Sequence, residues 1–496
     1  MAATFAPLDA ATTFGPATPA PRGPTSPTPS WTPAEIVRRF ATTAPRYTSY
    51  PTAPHFRQDF DVDAVRRAYA AARGPLGLYV HVPFCERRCL YCGCHVEVAR
   101  DRGLGSAYVD TLLRELDLQA TLTAVSADRP LSVVALGGGT PTWLAPADLA
   151  RLCAGIRSRL PDHPGCEWSI EVDPRSLDDA GAETLCQLGF TRYSLGVQDL
   201  DPAVQRAIGR PQPAAQVERI ARMLAASAPR DGLNFDLMYG LPNQTVESIR
   251  ATVRQAVAMG PTRFAVFGYA HVPWLRPHQR GMERTPLPDD AARLELLWAA
   301  REELMGHGYL PLGLDHYALP SDPLALAAKQ GRLGRNFMGY TDRGQAKGVD
   351  GQALDVDLLA IGASAIAQVG DAFAANTTDR ALWAERVRSG APAWARAHLR
   401  SDDDKRRGAV ITALLCDLRV DKSAWTARFA DQGQGAFDVA FAEELRALGP
   451  FFEAGLLRQD TESLAITGHG WLVARNVAAA FDRFLDGAKA RYSRTV

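Results

Sequence analysis

The sequence predicts an α/β fold: an open, curved, TIM-like partial barrel of (βα)6 type, with an N-terminal extension and a mostly helical, winged-helix-like C-terminal domain. Short apolar runs alternate with amphipathic segments from residue 78 onward, which indicates parallel strands joined by helical crossovers. Six such units within about two hundred residues are too few to close an eight-stranded barrel. After about residue 380 the alternation stops, and helical patterns follow.

Each element of this prediction has its own sequence signal. Ser30 to Glu35, with Pro33 in the first turn, is typical of a capped helix start. The barrel strands are predicted at the apolar runs Leu78–Val82, Ser132–Leu136, Trp168–Val172, Tyr193–Val197, Asn234–Met238 and Arg263–Gly268. Helices are predicted between them at Tyr108–Leu122, Pro146–Ser158, Asp178–Leu188 and Pro213–Ser227. The C-terminal domain is predicted to contain helices Asp402–Cys416, Ala424–Phe429 and Phe437–Leu448, a hairpin of Leu456–Gln459 with Ser463–Ile466, and a last helix Gly468–Leu485.

Four regions follow from these signals. Residues 1–30 are rich in Ala, Thr, Pro and Ser but lack a basic start and an apolar core, so they are interpreted as a disordered leader and not as a signal peptide. Residues 31–77 form an N-terminal segment, residues 78–380 the barrel with its extension, and residues 381–496 the helical cap domain.

The charge balance excludes some function classes. Basic and acidic residues number 55 each, which gives no support for a nucleic-acid or membrane-surface binder. No apolar run is long enough to span a bilayer. Acidic residues at 402–404 also argue against DNA binding by the winged-helix-like region.

Four cysteines lie within ten residues, directly after the first predicted strand. Cys85, Cys89 and Cys92 have C-x3-C-x2-C spacing, and Cys94 follows. Zinc sites more often show two separated C-x2-C pairs, and disulfides within such a short loop would be strained. Three thiolates on a cubane iron–sulfur cluster leave one iron with an open position, as a catalytic centre requires. Free thiols so close together also indicate a reducing compartment, the cytoplasm.

Polar and glycine-rich segments end several of the predicted strands. Gly137–Gly139 follow the second strand, and Glu171 and Asp173 end the third. Gln198 and Asp236 end the next two. Ligands bind at the carboxyl ends of parallel strands. Each feature has a structural alternative, since the glycines could form a tight turn and Asp173 could cap the next helix. Several polar strand ends in one barrel are harder to explain without a ligand, because buried polar groups need partners.

The cysteine spacing resembles the signature of radical S-adenosylmethionine (SAM) enzymes, in which SAM chelates the fourth iron. Further motifs make the resemblance more specific. In order along the chain they are PRYTSYPTA (45–53), YVHVPFC (79–85), GGGTPT (137–142), SIEVDP (169–174), GVQD (196–199), DLMYGLP (236–242), YAHVP (269–273), GLDHY (313–317), NFMGY (336–340) and DLLAIGASAI (357–366). The chain after residue 30 resembles the oxygen-independent coproporphyrinogen III oxidase family.

The resemblance implies a site residue by residue. Cys85, Cys89 and Cys92 would hold one [4Fe–4S] cluster, and Cys94 matches a further cysteine that the family needs although it is not a ligand. Positions that match contacts to the cluster-bound SAM are Tyr79, Gly138, Glu171 and Ile366. Positions that match contacts to a second SAM are Tyr91, Gly139, Thr140, Gln198, Arg210, Asp236 and Ala270. The PRYTSYPTA segment would cover the active site, and its Arg46 is a candidate partner for substrate carboxylates.

The implied activity is the oxidative decarboxylation of the ring A and ring B propionates of coproporphyrinogen III to vinyl groups, giving protoporphyrinogen IX through a 5′-deoxyadenosyl radical made from SAM. The resemblance also implies an electron donor such as flavodoxin or ferredoxin, and a monomer. One alternative is a radical-SAM paralogue that acts as a haem chaperone, but such proteins typically lack the Cys94 equivalent and the PRYTSYPTA segment. A second is a non-catalytic iron–sulfur module that binds nucleic acid. One departure from the family is a longer, Gly- and Asp-rich link between Tyr340 and Asp357, expected as a surface loop.

Overall fold

The computed structural model of the chain describes residues 31–123, 129–227, 232–344, 355–429, 435–485 and 492–495. The predicted leader, residues 1–30, lies outside the described residues, and so do residues 345–354 of the long link after Tyr340. Among the described helices, none combines the length and the apolar character needed to cross a lipid bilayer.

The strands fall into one large sheet and three small ones. In chain order they are β1 Leu76–Val82, β2 Phe84–Cys85, β3 Glu97–Val98, β4 Leu131–Gly138, β5 Asp162–Val172, β6 Arg192–Gln198, β7 Leu233–Tyr239, β8 Arg263–Gly268, β9 Leu310–Leu312, β10 His316–Ala318, β11 Leu333–Asn336, β12 Gly339–Asp342, β13 Asp357–Ile361, β14 Ile366–Val369, β15 Ala372–Asn376, β16 Trp394–Leu399, β17 Arg419–Asp421, β18 Leu457–Gln459 and β19 Ser463–Ile466.

Most helices follow a strand and pack on the outside of the sheet, as βα units require. In chain order they are α1 Pro33–Phe40, α2 Val62–Ala71, α3 Leu104–Leu122, α4 Pro146–Arg157, α5 Asp179–Gln187, α6 Pro202–Ala207, α7 Ala214–Ser227, α8 Val246–Ala258, α9 Asp290–Gly306, α10 Pro323–Lys329, α11 Arg380–Arg388, α12 Asp402–Cys416, α13 Lys422–Phe429, α14 Phe437–Ala440, α15 Ala442–Ala447, α16 Gly449–Glu453 and α17 Ala474–Ala479.

The large sheet has the strand order β16-β15-β14-β13-β1-β4-β5-β6-β7-β8-β10-β9. Its centre is parallel from β13 to β8, and antiparallel strands extend it on both sides. Six of the parallel strands overlap the six predicted runs, so the α/β partial barrel is confirmed. The seventh, β13, was not predicted as a barrel strand. It pairs with β1 across a large sequence separation, which no local pattern reveals.

Packing explains why these strands have so few polar residues. Leu76, Leu78, Val80 and Val82 of β1 are fully buried, because helices cover one face of the sheet and the barrel interior the other. Helix starts are also encoded locally. At α1 the side chain of Thr32 accepts from the Glu35 backbone, and the Glu35 carboxylate accepts from the Thr32 N–H at 2.8 Å.

The C-terminal helices build a separate apolar core around Trp425, Phe437 and Phe481. The hairpin of β18 and β19 is confirmed, and α12 has the predicted bounds. The predicted helix Phe437–Leu448 is wrong as one element, because the chain breaks between α14 and α15 at Phe441. The predicted last helix is too long, since Gly468–Val473 is a 3-10 helix and α17 ends at Ala479. The large sheet also includes β16. The predicted domain boundary between residues 380 and 381 therefore falls between β15 and β16, which are neighbouring strands of this sheet.

Candidate active site at the carboxyl ends of the barrel strands

The cysteine loop runs from β2 to β3 and is held at both ends by backbone hydrogen bonds. Glu97 N–H donates to the Pro83 carbonyl at 2.8 Å, and Ala99 N–H donates to the Cys85 carbonyl at 3.0 Å. Since β1 ends at Val82, the loop lies at the carboxyl end of the first barrel strand, as the sequence predicts.

Three side chains of one segment, residues 276–279, support the loop from its other side. Arg276 Nε donates to the Gly93 carbonyl at 2.8 Å, and His278 Nε2 donates to the Cys92 carbonyl at 2.8 Å. Gln279 Nε2 donates to the Tyr91 carbonyl at 2.9 Å. Consecutive carbonyls of the loop are therefore fixed by side chains that the sequence analysis did not single out.

The thiols lie in different local environments. Cys89 Sγ is 3.4 Å from both Arg175 Nη2 and Arg210 Nη1, so two guanidinium groups donate hydrogen bonds to its sulfur. Burial raises the pKa of Cys85 to about 11, opposed by a hydrogen bond with Thr140 Oγ1 at 3.3 Å.

Cys92 and Cys94 share a hydrogen bond between their side chains. This bond is the main reason why the pKa of Cys92 falls to about 6 and that of Cys94 rises. All eight cysteines are free thiols, and Cys94 is exposed.

Glycines at the carboxyl end of β4 allow three strands to approach closely. A Cβ on Gly138, which has φ of +115°, would lie 2.6 Å from the His81 ring. A Cβ on Gly137 would lie 2.7 Å from Glu171 Oε1, and one on Gly139 would lie 2.7 Å from the Phe84 carbonyl oxygen. The glycines are thus required by packing at this edge, and they leave backbone groups facing the site.

His81 and Tyr79 form a fixed pair on β1. Burial lowers the pKa of His81 to about 4, so its ring is neutral at physiological pH. Its Nε2 lies 3.2 Å from the His95 carbonyl, which can only accept, so Nε2 carries the proton. Nδ1 then accepts from the Tyr79 hydroxyl at 3.1 Å.

The two carboxylates that end β5 have different partners. Asp173 pairs with Arg175 at 2.6 Å and with Arg210 at 3.1 Å. It does not cap the next helix, because Asp178 caps α5. Glu171 accepts from the Gly138 N–H at 3.0 Å and forms no ion pair among the described residues. Burial and the nearby Asp236 raise the pKa of Glu171 to about 7.

Gln198 and Asp236 occupy the ends of the following strands. Gln198 has φ of +65°, an uncommon conformation for a residue other than glycine, where the register of β6 against β7 shifts. Asp236 accepts from Asn234 Nδ2 at 2.9 Å and from Ser194 Oγ at 3.2 Å, and burial raises its pKa. Strain and buried polar groups of this kind concentrate at functional sites.

The remaining predicted site residues lie along the same edge of the sheet. Tyr91 belongs to the cysteine loop, Arg210 contacts that loop through Cys89, and Ala270 follows β8. Ile366 begins β14, which runs antiparallel and starts where β13 ends, and it packs against Phe56 and Phe373. The fold thus brings residues from distant parts of the sequence to one end of the barrel.

Comparison with known proteins identifies the family. The family model of the radical SAM superfamily matches residues 79–256. The oxygen-independent coproporphyrinogen III oxidase of Bradyrhizobium diazoefficiens is 39% identical over 91% of this chain and 97% of its own length. That of Pseudomonas aeruginosa is 37% identical, with coverage of 93% and 98%. The chain belongs to the oxygen-independent coproporphyrinogen III oxidase family.

Solved structures support the same assignment. The coproporphyrinogen III oxidase of Escherichia coli, described as a radical SAM enzyme, superposes with a TM-score of 0.81 at 36% identity, covering 88% of this chain and 97% of that one. As a member of this oxidase family the chain uses a [4Fe–4S] cluster and SAM.

The residues of this chain fit such a cluster. A cubane takes each thiolate on a different iron, so its ligands surround a volume and do not converge on one point. Among the described residues no group of three or more His, Cys, Asp or Glu side chains converges in the way that a single metal ion requires. In this chain the three thiols of Cys85, Cys89 and Cys92 share one loop, and Arg175 and Arg210 supply positive charge beside Cys89.

Proposed function

We propose that the chain catalyses the oxygen-independent oxidative decarboxylation of the ring A and ring B propionates of coproporphyrinogen III, giving the vinyl groups of protoporphyrinogen IX. The observation that carries this proposal is the match over nearly the full length of the oxidases, 91% of this chain and 97% of the Bradyrhizobium protein. It favours the oxidase over the haem-chaperone alternative.

We propose roles for the residues of the site. Cys85, Cys89 and Cys92 would hold the cluster, while Tyr79, Gly138, Glu171 and Ile366 would bind SAM at its open iron. When bound, the cluster and SAM supply one-electron reduction and hydrogen abstraction. Glu171 suits an ammonium group because it has no cationic partner among the described residues, whereas Asp173 is already paired with two arginines.

A second SAM is proposed beside the first. The residues assigned to it are Tyr91, Gly139, Thr140, Gln198, Arg210, Asp236 and Ala270. Asp236 supports this assignment because its carboxylate, held by Asn234 and Ser194, is an acceptor suited to sugar hydroxyls. Cys94 is proposed to act at the substrate and not as a ligand, since it is exposed and hydrogen-bonded to Cys92.

The redox partner, oligomeric state and location are also proposals. We infer a small electron-transfer protein such as flavodoxin or ferredoxin as the donor, because the cluster must receive single electrons. A monomer is inferred from the resemblance to this oxidase family. A cytoplasmic location is supported by the free thiols of the cysteine loop.

An anaerobic assay tests the proposed reaction. The cluster is reconstituted, SAM, reductant and coproporphyrinogen III are added, and the products are separated by chromatography. Protoporphyrinogen IX and 5′-deoxyadenosine are expected together. Cys89→Ala is expected to lose both products, and Cys94→Ser to lose the porphyrin product while keeping the cluster absorbance. A reducible cluster that binds haem without decarboxylation would support the chaperone instead.

A further inference from the structure

A cationic pocket opens at the carboxyl ends of β7 and β8, where the N-terminal segment and the last described residues meet the barrel. It has about 680 Å³ of empty space, part of it open to solvent. Five arginines and one acid line it, and we call four of these arginines together with the acid the arginine pocket: Arg46, Arg293, Arg335, Arg475 and Asp315. Arg494 also lines it, but pairs with Asp290 at 2.8 Å.

One carboxylate cannot balance this charge. Asp315 lies 3.5 Å from Arg335, and although burial opposes the shift, Arg335 and His316 hold the pKa of Asp315 below its ordinary value. Arg46, Arg293 and Arg475 form no ion pair within the described part of the chain. Arg46 is exposed and Arg293 and Arg475 are half-buried, so their uncompensated positive charge faces the open pocket and is available to an anion.

Hydrogen bonding shows unused capacity in the same pocket. Arg335 is 94% buried, since its side chain is 6% exposed, and its Nε and Nη1 have no hydrogen-bond partner among the residues that the structure describes. Arg475 donates to backbone carbonyls near both chain ends, at Arg494 and Thr495 and at Ala44. Arg46 Nη2 donates to the Gly268 carbonyl at 2.6 Å, which fixes its guanidinium at the end of β8.

The position of the pocket indicates which part of a substrate it receives. The cysteine loop follows β1, and β7 and β8 are four and five strands further along the sheet. At a spacing of about 4.8 Å per strand this is roughly 20 Å along the sheet and less straight across the curved barrel, a span within reach of a tetrapyrrole with its side chains. A ring whose propionate reacts near the cluster would place the opposite rings near the arginine pocket.

We propose that the arginine pocket binds the carboxylate of a propionate that the reaction leaves intact, on ring C or ring D of the substrate. This inference rests on the proposed function and adds the anchoring residues to it. Guanidinium groups suit the task because their planar forks bind carboxylates through paired, charge-assisted hydrogen bonds. The anchored propionate would hold the macrocycle so that a reacting ring faces the cluster.

Binding of two fluorescent porphyrins tests the inference without turnover. Coproporphyrin III carries all four propionates, whereas mesoporphyrin IX carries only those on rings C and D. Arg46→Gln and Arg475→Gln are each expected to weaken the binding of both porphyrins about 10-fold, and the double variant more. Arg159→Gln, which removes an exposed pair with Asp117 on the outer helices, is the matched control. In turnover, the pocket variants should raise KM more than they lower kcat.

The outcomes separate the two proposals. Wild-type affinity in the double variant would overturn the inference, and so would a loss confined to coproporphyrin III, because the anchored carboxylate would then be a reacting one. Coproporphyrin III tetramethyl ester, which lacks charge, should bind weakly to the wild type and equally weakly to the variants, and equal ester binding shows that a variant is folded. A wild type that binds neither porphyrin and forms no protoporphyrinogen IX would overturn the proposed function itself.

Discussion

Arg210 and Asp173 form an enclosed ion pair beside the cluster loop, with Arg210 Nη2 3.1 Å from Asp173 Oδ1. The same guanidinium donates to Cys89 Sγ at 3.4 Å and to the Gly196 carbonyl at 2.5 Å. One side chain therefore joins the ends of two barrel strands, β5 and β6, to the proposed cluster ligand. Arg210 is 6% exposed and Asp173 13% exposed, so the pair is largely removed from water.

Removing one partner of this pair should lower the free energy of unfolding more than replacing both partners does. Arg210→Met leaves Asp173 with Arg175 alone, and we expect a loss of about 2–3 kcal/mol in the apparent free energy of unfolding of the cluster-free protein. Adding Asp173→Asn should recover part of that loss, because a neutral amide needs no counter-charge. Urea unfolding of the single and double variants measures both steps. If the two losses simply add, the pair is not coupled.

Gly138→Ala tests whether the last residue of β4 is constrained by packing. The new Cβ would meet the His81 ring at 2.6 Å in a backbone with φ of +115°. We expect the free energy of unfolding to fall by about 2–4 kcal/mol, and SAM binding by calorimetry to be lost. Gly306→Ala is the matched control, because a Cβ there meets nothing within 4 Å at the end of a helix. Equal effects of the two substitutions would contradict the packing explanation.

The segment that supports the cysteine loop should control how long the cluster survives. His278→Ala removes the hydrogen bond to the Cys92 carbonyl, and Arg276→Ala removes the one to Gly93. We expect the cluster absorbance of both variants to decay several-fold faster in the presence of a chelator. Arg280→Ala, at the exposed position directly after this segment, should decay like the wild type. Identical cluster decay in the wild type and all three variants would show that the contacts to the loop carbonyls do not stabilise the cluster.

Glu171 should make stability depend on pH. Its pKa rises from 4.5 to about 7 in the folded chain, so the folded state binds the proton more tightly than the unfolded state does. The stabilisation that this provides is complete below pH 4.5 and is lost as the pH rises through about 7. Glu171→Gln should therefore gain stability relative to the wild type as the pH rises from 5 to 8.

Unfolding midpoints of the cluster-free proteins across this range measure the Glu171 effect. Glu86→Gln, at an exposed carboxylate paired with Arg102, is the control and should differ from the wild type by a constant amount. A constant difference for Glu171→Gln as well would rule out an elevated pKa at this residue.

Local patterns predicted most of the barrel, because buried parallel strands leave a strong apolar signal. The strand around Leu78 and the helix Asp402–Cys416 were both found from such patterns. β13 has the same apolar composition, but its place beside β1 depends on a pairing between distant parts of the chain. The break at Phe441 is set by packing against Phe481 and Trp425, which no helical periodicity records.

The candidate site divides in a similar way. Cysteine spacing and the glycine run pointed to the cluster end of the barrel, since both are short motifs with a chemical reason for their spacing. Arg175 and His278 gave no such signal, because they matter only through contacts that the fold creates. The arginine pocket could not be predicted as a set, because Arg46 and Arg475 stand near opposite ends of the sequence and meet only in the fold.

The pairing of β1 with β13 has a consequence for the newly made chain. During synthesis β1 and its cysteine loop leave the ribosome early, whereas β13, which covers the other edge of β1, is made only after the rest of the barrel. Until then β1 has an open edge and the nascent thiols are accessible to oxidants and to stray metal ions. Cluster insertion is therefore expected to follow release of the full-length chain, and truncated products that end before Asp357 should aggregate.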